Sequence, residues 1–327
     1  MYTAADRRMK RERMNGLELS KGYYEEFGRP MLEEQFPALL PYLCVGFTGS
    51  GSEHYGFDDE VSRDHDFEPG FCIFLPGEDV VDRRSAFQLE RAYAKLPKEY
   101  GGVRRSQVQP AGGNRNGVIR TADFYTALTG SPDGRLSAEE WLRIPDHALA
   151  EAVNGELFFD GYGEVTAIRE RLLLMPEDVK LKRLAGNLLL MAQAGQYNYM
   201  RCLKHGEPEA AQLSCVEFVQ AAMKAFFLLN DRYMPYYKWS FRALRTIFGG
   251  DATAEKLSYL LFADPRGEKT AEEKYDMIES TASDFIGLLQ DRDLTDAICG
   301  DLEKHAYSVN DRIGDSWIRN LHILAAV

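Results

Sequence analysis

Apolar residues in the second half of the chain recur at helical spacing. Two stretches show the pattern most clearly, and their apolar positions are Leu181, Leu184, Leu188, Met191, Val216, Val219, Met223 and Phe226. Residues three, four and seven positions apart share one face of a helix, so this period predicts amphipathic helices. Glycine and proline breaks divide the chain from residue 165 onward into about six predicted helices. The second half is therefore predicted to be all-α.

The first half instead alternates short apolar runs with glycine-rich turns, the pattern of strands in a mixed domain. The predicted strands are 44–48, a pair around 65–75, 118–121 and 156–160, and the predicted helices are a short broken one at 31–43, then 82–96 and 138–153. A glycine-rich loop at 101–117 could form a mobile lid. Residues 1–20 are expected to be a solvated leader. The predicted domains are 1–160 and 161–327.

Composition and charge narrow the classes of partner. The 327 residues carry 39 basic and 51 acidic side chains, a net charge of −12. Binding to a long phosphate backbone needs a basic surface, so long nucleic acid is not an expected partner. No apolar run approaches the ~20 residues of a membrane span, and the five cysteines lack metal-binding spacing. We expect a cytoplasmic protein with no membrane partner.

Candidate chemistry lies where the strand 44–48 meets a glycine-serine turn. Gly49 and Ser50 form that turn, and Asp64 and Asp66 follow on a predicted strand. Side chains at positions i and i+2 point to one face of a strand, so the two carboxylates can converge on a divalent cation. Backbone N–H groups at such a turn can cradle a triphosphate. The pattern favours phosphoryl or nucleotidyl transfer, although two aspartates can also simply start a strand.

These residues carry a resemblance to known families. Thr48-Gly49-Ser50, thirteen intervening residues and Asp64-His65-Asp66 resemble the signature of the DNA polymerase beta-like nucleotidyltransferase superfamily. The longer string GSGSEHYGFDDEVSRDHDFEPG looks more narrowly like the bacterial family labelled domain of unknown function 4037, and Tyr233–Trp239 is similar to a second motif of that family. The resemblance covers most of the chain.

The resemblance implies an α+β fold, in which a small mixed sheet flanked by helices precedes a helical bundle whose face closes the cleft. It implies that Gly49 and Ser50 hold a nucleoside triphosphate, with ATP the first candidate because it is abundant. It implies that Asp64 and Asp66 bind Mg²⁺, as two ions, with Mn²⁺ possible. A nucleoside monophosphate would then pass to a hydroxyl of a small molecule or protein, with release of pyrophosphate.

The superfamily pattern also has a third carboxylate on a later strand. The strand predicted at 118–121 carries Arg120 instead, with Asp123 just beyond it, and Glu156 and Asp160 flank the next strand. Asp123 and Asp160 are equal candidates for the third carboxylate. If neither reaches the metal ions, the activity would be weak, differently assisted or absent.

Four further residues are candidates, and three of them have an alternative reading. Ser62 and Arg63 could contact phosphate, although Arg63 could equally pair with the acidic run that begins at Glu53. Glu217 could accept the proton of the acceptor hydroxyl, although its stripe of the helix is expected to face solvent. Lys238 lies between large apolar residues, where its ammonium must find a partner such as phosphate or reach water.

The remaining polar residues near these motifs are expected to be structural or exposed. His65 should face the core, since it alternates with Asp64 and Asp66 on a strand. His54 lies in a polar loop and is expected to be exposed. The acidic run Glu53, Asp58, Asp59 and Glu60 is expected to be solvated surface.

Two functions of different class fit the sequence. The first is a metal-dependent nucleotidyltransferase, and the second is a nucleotide-binding regulatory module that has lost catalysis. Label transfer from a radioactive nucleotide separates them. An RNA-end-modifying enzyme is a third idea that the charge of −12 disfavours. A local basic cleft could form only from Arg104, Arg105, Arg115 and Arg120.

Overall fold

The computed structural model describes residues 14–61, 67–105, 116–264 and 268–327. The chain forms two compact units. The first comprises Met1–Leu136 and Ala148–Leu174, and the second comprises Ser137–His147 and Met175–Val327. The sequence predicted a domain boundary at residue 160. In the structure the boundary follows Leu174, and the segment Ser137–His147 belongs to the second unit although it lies before that boundary.

Short strands and many helices make up the described chain, a mixed α/β composition that agrees with the predicted α+β class. The strands are β1 (Cys44–Phe47), β2 (Cys72–Leu75), β3 (Glu99–Tyr100), β4 (Val103–Arg104), β5 (Gly117–Arg120) and β6 (Glu156–Asp160). The α-helices are α1 (Gly16–Tyr23), α2 (Arg29–Gln35), α3 (Arg83–Ala94), α4 (Thr121–Thr129), α5 (Ala138–Arg143), α6 (Asp146–Val153), α7 (Glu164–Leu173), α8 (Glu177–Met191), α9 (Met200–Lys204), α10 (Pro208–Leu229), α11 (Tyr237–Leu244), α12 (Gly250–Phe262), α13 (Glu268–Gln290), α14 (Leu302–Asp311) and α15 (Ser316–Asn320). Segments of π-helix (Tyr24–Gly28, Ala192–Tyr199) and 3₁₀-helix (Leu40–Tyr42, Ser52–Tyr55) link some of them.

A four-stranded mixed sheet in the order β5-β2-β1-β6 organises the first unit. Strand β1 runs antiparallel to both neighbours, and β5 runs parallel to β2. Apolar, partly β-branched sequence predicted three of these strands to within one residue of their ends. The strand β2 confirms the later part of the pair expected around 65–75. The sheet packs its buried side chains, such as Phe71 and Ile73, with Tyr23 of α1 and Tyr93 of α3.

The register of the sheet decides which residues lie near the end of β1. Gly46 pairs with Cys72 and Phe47 pairs with Glu156, so the start of β2 and the start of β6 both lie beside the end of β1. Asp160 pairs with Cys44, at the opposite end of β1. The chain that follows β1 therefore leaves the sheet next to Glu156 and away from Asp160.

Several expectations about helices need correction. The helix predicted at 138–153 is two helices, α5 and α6, because Pro145 removes a backbone donor and disfavours continuation of the helix before it. The leader predicted at 1–20 is too long, because Leu19 is buried within α1. The loop predicted at 101–117 includes β4, which pairs with β3 as a short hairpin.

The chain after β6 is helical, as the periodicity predicted, but its described part contains more helices than the predicted six. The described residues from 164 onward hold nine α-helices, and α9 and α15 have only five residues each. Helices that short span little more than one turn, so no apolar period could reveal them. The long helices α8, α10 and α14 pack together and bury Leu188, Phe218 and Val309.

A buried ion pair joins the segment Ser137–His147 to helix α8 of the second unit. Arg183 of α8 donates from Nη1 to Asp146 Oδ1 at 2.5 Å and from Nη2 to the Trp141 carbonyl oxygen at 2.7 Å. Both side chains of the pair are largely buried. These bonds explain why Ser137–His147 belong to the second unit although residues on either side belong to the first.

Helix α10 is the one described helix that is long and apolar enough to cross a membrane. Its length is 22 residues, and 61% of its apolar 18-residue stretch is buried inside the protein. Burial of this extent is typical of a core helix in a water-soluble protein.

Candidate functional site

The glycine-serine turn after β1 has a backbone that only glycine adopts readily. Gly49 has φ +126° and Gly51 has φ +127°, in the region that a Cβ atom disfavours. A Cβ on Gly51 would also lie 2.3 Å from Glu53 Oε1, whereas a Cβ on Gly49 would meet only Phe124, at 3.8 Å. The turn therefore needs glycine at both positions for conformation, and a Cβ on Gly51 would also displace the carboxylate end of Glu53.

Asn154 holds this turn through three hydrogen bonds. Its Oδ1 accepts from the Gly49 N–H at 2.9 Å and from the Thr48 hydroxyl at 3.0 Å. Its Nδ2 donates to the Gly49 carbonyl oxygen at 2.8 Å. The Asn154 amide thus bonds to both the N–H and the carbonyl group of Gly49. A neighbouring strand would make the same two bonds, and the side chain replaces it where β1 leaves the sheet.

Arg169 of α7 holds Asn154 in turn. Its Nη2 donates to the carbonyl oxygens of Asn154 at 2.8 Å and Gly155 at 3.4 Å, and also to that of Val153. Burial lowers the pKa of Arg169. One cation thus satisfies the carbonyl groups at the end of α6 and fixes the residue that clamps the turn.

Gly155 allows the backbone next to Asn154 to approach the end of β1 closely. It has φ +68°, and a Cβ atom there would lie 1.9 Å from the Phe47 carbonyl oxygen. No side chain fits this position, so the Asn154-Gly155 pair docks onto the end of β1 only with glycine present.

The turn presents backbone donors to its surroundings. Ser50 is exposed and Gly51 is partly exposed. Among the hydrogen bonds of the described residues, none is donated by the backbone N–H of Ser50 or Gly51. Successive N–H groups in such a turn form a concavity that suits an anion, such as a phosphate oxygen.

Two residues beside the turn are buried, contrary to their sequence-based expectation. The side chain of Glu53 is 12% exposed and that of His54 is 1% exposed. The His54 ring stacks on Phe47, with 4.1 Å between ring centroids, and His54 Nδ1 lies 3.5 Å from Glu53 Oε1. The 3₁₀ turn Ser52–Tyr55 folds these side chains under the glycine-serine turn, which the polar sequence did not reveal.

Four predicted site residues lie outside the described residues, namely Ser62, Arg63, Asp64 and Asp66, as does His65. The described chain resumes at Phe67 and enters β2 at Cys72, beside the end of β1. Within the described ranges, no group of three or more histidine, cysteine, aspartate or glutamate side chains could hold a metal ion.

Of the two candidates for a third carboxylate, Asp160 lies away from the turn and Asp123 lies on a helix. Asp160 lies at the far end of β1, and its carboxylate accepts hydrogen bonds from the Gly163 N–H at 2.8 Å and from the N–H and hydroxyl of Thr166 at 2.9 and 2.7 Å. It caps the start of α7. Asp123 is exposed in the first turn of α4 and is not on a strand.

Glu156 is the acidic residue that the sheet brings to the turn. It begins β6 opposite Phe47 and forms an ion pair with Lys21 of α1, with both side chains about half exposed. The sequence placed Glu156 at one end of a predicted strand but could not tell which end would meet β1.

The second unit contains the two remaining candidates, and both are exposed. Glu217 lies on the solvent-facing side of α10, as its stripe predicted. Lys238 is exposed on α11, so its ammonium reaches water, which is one of the two outcomes expected from its apolar neighbours. Two described lysines of this unit, Lys182 and Lys274, are fully buried. Lys182 donates to Asn310 Oδ1 at 2.9 Å and to the carbonyl oxygens of Leu321 and Arg319 at 2.6 and 3.2 Å.

Cysteine chemistry is disfavoured in the sheet. Cys44 and Cys72 are buried in β1 and β2. Burial raises the pKa of Cys72 to about 12 and also raises the pKa of Cys44. A thiol that stays protonated is a poor nucleophile and metal ligand, so these cysteines are structural.

Comparison with known proteins gives one match. Residues 141–240 match the family described as "Domain of unknown function (DUF4037)". No curated protein and no solved structure matches the chain. The match spans part of α5 to part of α11 and includes Asn154, Gly155, Arg169 and Lys238.

Proposed function

We propose that this protein is a nucleotidyltransferase that moves a nucleoside monophosphate from a nucleoside triphosphate to a hydroxyl group. The observation that best supports this proposal is the glycine-serine turn. Asn154 holds this turn so that the N–H groups of Ser50 and Gly51 remain available to an anion. The resemblance of this turn and of Asp64-x-Asp66 to the DNA polymerase beta-like superfamily supports the same function. We expect the protein to act in the cytoplasm, with ATP as the first donor to test.

In this proposal the chain's own residues bind and orient the triphosphate. The N–H groups of Ser50 and Gly51 would contact its phosphate oxygens, and Arg169 and Asn154 would keep those donors in place. Asp64 and Asp66 would hold Mg²⁺, whose preference for oxygen ligands fits two carboxylates together with phosphate. The bound metal would neutralise charge on the phosphates.

The transfer itself needs position and charge more than covalent chemistry. The oxygen of the acceptor hydroxyl would attack the α-phosphorus, the bond from that phosphorus to the bridging oxygen would break, and pyrophosphate would leave. The proton of the hydroxyl would pass to a carboxylate or to water. Glu156 is the carboxylate that we favour as the third acidic residue, because it lies beside the end of β1.

Label transfer is the direct test. Purified protein is incubated with each nucleoside triphosphate labelled at the α-phosphate, with Mg²⁺ or Mn²⁺, and a mixture of small hydroxylated molecules. Labelled product and free pyrophosphate are expected from the parent protein and not from Asp64→Asn or Asp66→Asn. Glu60→Gln removes the same charge from an exposed position nearby and should retain activity.

The outcomes separate the two functions named from the sequence. Transfer that both aspartate variants abolish supports the proposal. Metal-dependent binding of nucleotide without transfer to any acceptor, including the protein itself, would favour the inactive regulatory module. Transfer that persists in both variants would overturn the assignment of the site.

A further inference from the structure

Helix α3 and the residues directly after it carry an excess of basic side chains. Residues 83–98 contain five basic side chains and one acidic side chain, whereas the whole chain has a net charge of −12. The basic residues are Arg83, Arg84, Arg91, Lys95 and Lys98. A polyanion is repelled by most of an acidic protein, so a locally basic surface selects where it binds.

Helical spacing places three of these cations in one row. Arg84, Arg91 and Lys95 lie at positions i, i+7 and i+11, which share one side of a helix because about 3.6 residues make one turn. All three are exposed. The row spans about 16 Å along the helix axis. The opposite side of α3 is buried through Leu89 and Tyr93, so the row faces solvent.

Nearby carboxylates do not pair with the row. Among the residues that the structure describes, Arg84, Arg91 and Lys95 form no ion pair with aspartate or glutamate. Arg83 differs, because its Nε donates to Glu78 Oε1 at 2.7 Å. Arg83 is therefore not counted as part of the row.

Two acidic side chains lie close to the row in sequence but leave its cations unpaired. Glu90 precedes Arg91 by one position, which is about 100° around the helix. Asp82 caps the start of α3, where its Oδ1 accepts a hydrogen bond from the Ser85 N–H at 2.7 Å. That bond, and more weakly the charge of Arg84, lower the pKa of Asp82. The row keeps most of its positive charge for an external anion.

An exposed phenylalanine lies beside the row. Phe87 is 58% exposed and occupies the turn of α3 between Arg84 and Arg91. Arg91 Cζ lies over the Phe87 ring, 5.9 Å from the ring centroid. A single exposed apolar side chain is common on protein surfaces, so the ring is informative only because cations lie on either side of it. An aromatic ring in that setting can stack with an unpaired base, whichever base it is.

The hairpin of β3 and β4 extends the basic surface beyond the end of α3. Lys98 and Arg104 are exposed there, and the Arg105 N–H donates to the Lys98 carbonyl oxygen at 2.9 Å. Arg105 lies over the Tyr93 ring at 4.6 Å. Because Tyr93 belongs to α3, this contact joins the hairpin to the helix, and their cations belong to one surface.

The sequence-based expectation of a basic cleft therefore named only part of this surface. Of its four arginines, Arg104 and Arg105 lie on the hairpin, and Arg115 lies outside the described residues. Arg120 has another partner, because its Nη1 donates to the Pro76 carbonyl oxygen at 2.5 Å. The row on α3 was missed because its members are four and seven residues apart and meet only on a helix.

We propose that the α3 surface formed by Arg84, Phe87, Arg91 and Lys95 binds a short stretch of single-stranded nucleic acid. The cations contact successive phosphates, and the Phe87 ring stacks with an unpaired base. The planar guanidinium groups of the two arginines match the geometry of phosphate oxygens. A surface of this length suits about four nucleotides, at the lower end of the range of single-strand sites.

Other polyanions fit this surface less well. A membrane is broad, so it would also face the acidic remainder of the protein, and the apolar side of α3 is buried and cannot enter lipid. A duplex keeps its bases stacked on one another, and an acidic peptide has no base. Neither of them would use the exposed Phe87 ring.

Fluorescence anisotropy with a labelled oligouridylate of about twelve nucleotides tests the proposal on the full-length protein, over a series of salt concentrations. The test variant is Arg84→Gln/Arg91→Gln/Lys95→Gln. The matched control is Arg232→Gln/Arg292→Gln/Lys304→Gln, which removes two arginines and one lysine from exposed positions of the second unit. Thermal melting of both variants shows whether the fold is retained.

The expected effect follows from counterion release. Three lost phosphate contacts reduce the steepness of log affinity against log salt by about 2 for a single strand, so the parent should lose about a hundredfold more affinity than the test variant for each tenfold rise in salt. The control should keep the parent slope. Phe87→Ala should lower affinity about tenfold without changing the slope, because stacking releases no counterion. Phe262→Ala removes an exposed ring from α12 and should leave the affinity unchanged.

Several results would overturn the proposal. They are no binding of the oligonucleotide by the parent at low salt, an equal loss in the test and control variants, or binding to a hairpin duplex, polyglutamate or phosphatidylserine vesicles that is as tight as binding to the oligonucleotide. The proposal does not depend on catalysis. Asp64→Asn, which should abolish nucleotidyl transfer, should leave oligonucleotide binding unchanged, so the two proposals can fail separately.

Discussion

The proposed anion site at the glycine-serine turn of the first unit and the exposed cations of α11 in the second unit hold their hydrogen-bond donors in opposite ways. In the turn, the donors are backbone N–H groups, and Asn154, Gly155 and Arg169 fix their direction. On α11 the donors are long, exposed side chains on a single helix. One set of donors depends on tertiary packing and the other on local sequence.

This difference predicts how each set of donors responds to substitution. A backbone site cannot be removed by deleting its donors, so it is disturbed only through the residues that support it, at a cost in stability. Exposed side chains can lose their charges with little effect on the fold, because surface substitutions rarely change stability by more than about 0.5 kcal/mol. Substitutions that disturb the turn should therefore change stability and anion binding together, whereas substitutions of the α11 cations should leave stability unchanged.

The largest effect is expected at Gly155. Gly155→Ala combines a positive φ with a Cβ atom 1.9 Å from the Phe47 carbonyl oxygen, and should lower the free energy of unfolding by about 4 kcal/mol or more. Gly163→Ala is the matched control, because its φ is +75° and nothing lies within 4 Å of its Cβ. The control should lose about 1 kcal/mol. Urea denaturation measures both, and equal losses would contradict the close approach.

Two lysines of the second unit should differ sharply. Lys182→Met leaves Asn310 Oδ1 and the Leu321 carbonyl oxygen without their lysine donor, whereas the Arg319 carbonyl oxygen keeps a bond from Asn310 Nδ2, and the change should lower the free energy of unfolding by about 3 kcal/mol. Lys238→Met removes an exposed ammonium and should leave the melting temperature unchanged. Paired melting curves check the two variants. A large loss of stability at Lys238 would show that this residue supports the fold.

A smaller effect with a functional readout is expected at Asn154. Asn154→Ala removes three hydrogen bonds from the turn and should cost about 2 kcal/mol. It should also weaken nucleotide binding, because the N–H groups of Ser50 and Gly51 lose their fixed direction. Urea denaturation and calorimetric titration of nucleotide measure these two losses. Nucleotide affinity equal to that of the parent, despite the loss of stability, would separate the turn from the nucleotide site.

The smallest perturbation is chemical modification of the thiols. Cys299 is exposed and Cys202 is partly exposed, whereas Cys44, Cys72 and Cys215 are buried. Burial also raises the pKa of Cys72 to about 12. At neutral pH, two thiols should react with Ellman's reagent in the folded protein and all five after denaturation. Rapid reaction of a third thiol would show that a buried segment opens readily.

Local sequence predicted the positions of strands better than the contacts between residues that are distant in the chain. The apolar runs at 44–48 and 156–160 predicted β1 and β6, because such runs favour strands wherever they pair. The clamp between Gly49 and Asn154 joins residues 105 apart in the chain, and no local pattern indicates that contact. Asn154 and Gly155 lie between the helix predicted at 138–153 and the strand predicted at 156–160, and neither was a candidate site residue.

In the candidate site and in the second unit, the sequence also failed to predict the surroundings of single residues. Glu156 and Asp160 end the same strand, and the antiparallel register alone decides that Glu156 lies beside the turn. Lys238 has apolar neighbours in sequence and is exposed, while Lys182 has charged neighbours and is buried. Burial depends on which helix face packs, and the sequence around one lysine does not specify that face.

The central claim is that the glycine-serine turn and the Asp64-x-Asp66 pair together bind a metal-nucleoside triphosphate. Isothermal titration calorimetry of a non-hydrolysable ATP analogue with Mg²⁺ tests it most directly, with the other three triphosphates titrated if ATP gives no heat. The account predicts binding by the parent and by Glu60→Gln, and a loss of more than about tenfold in Asp64→Asn. Absence of binding for all four triphosphates, or equal affinity in the parent and Asp64→Asn, would contradict it.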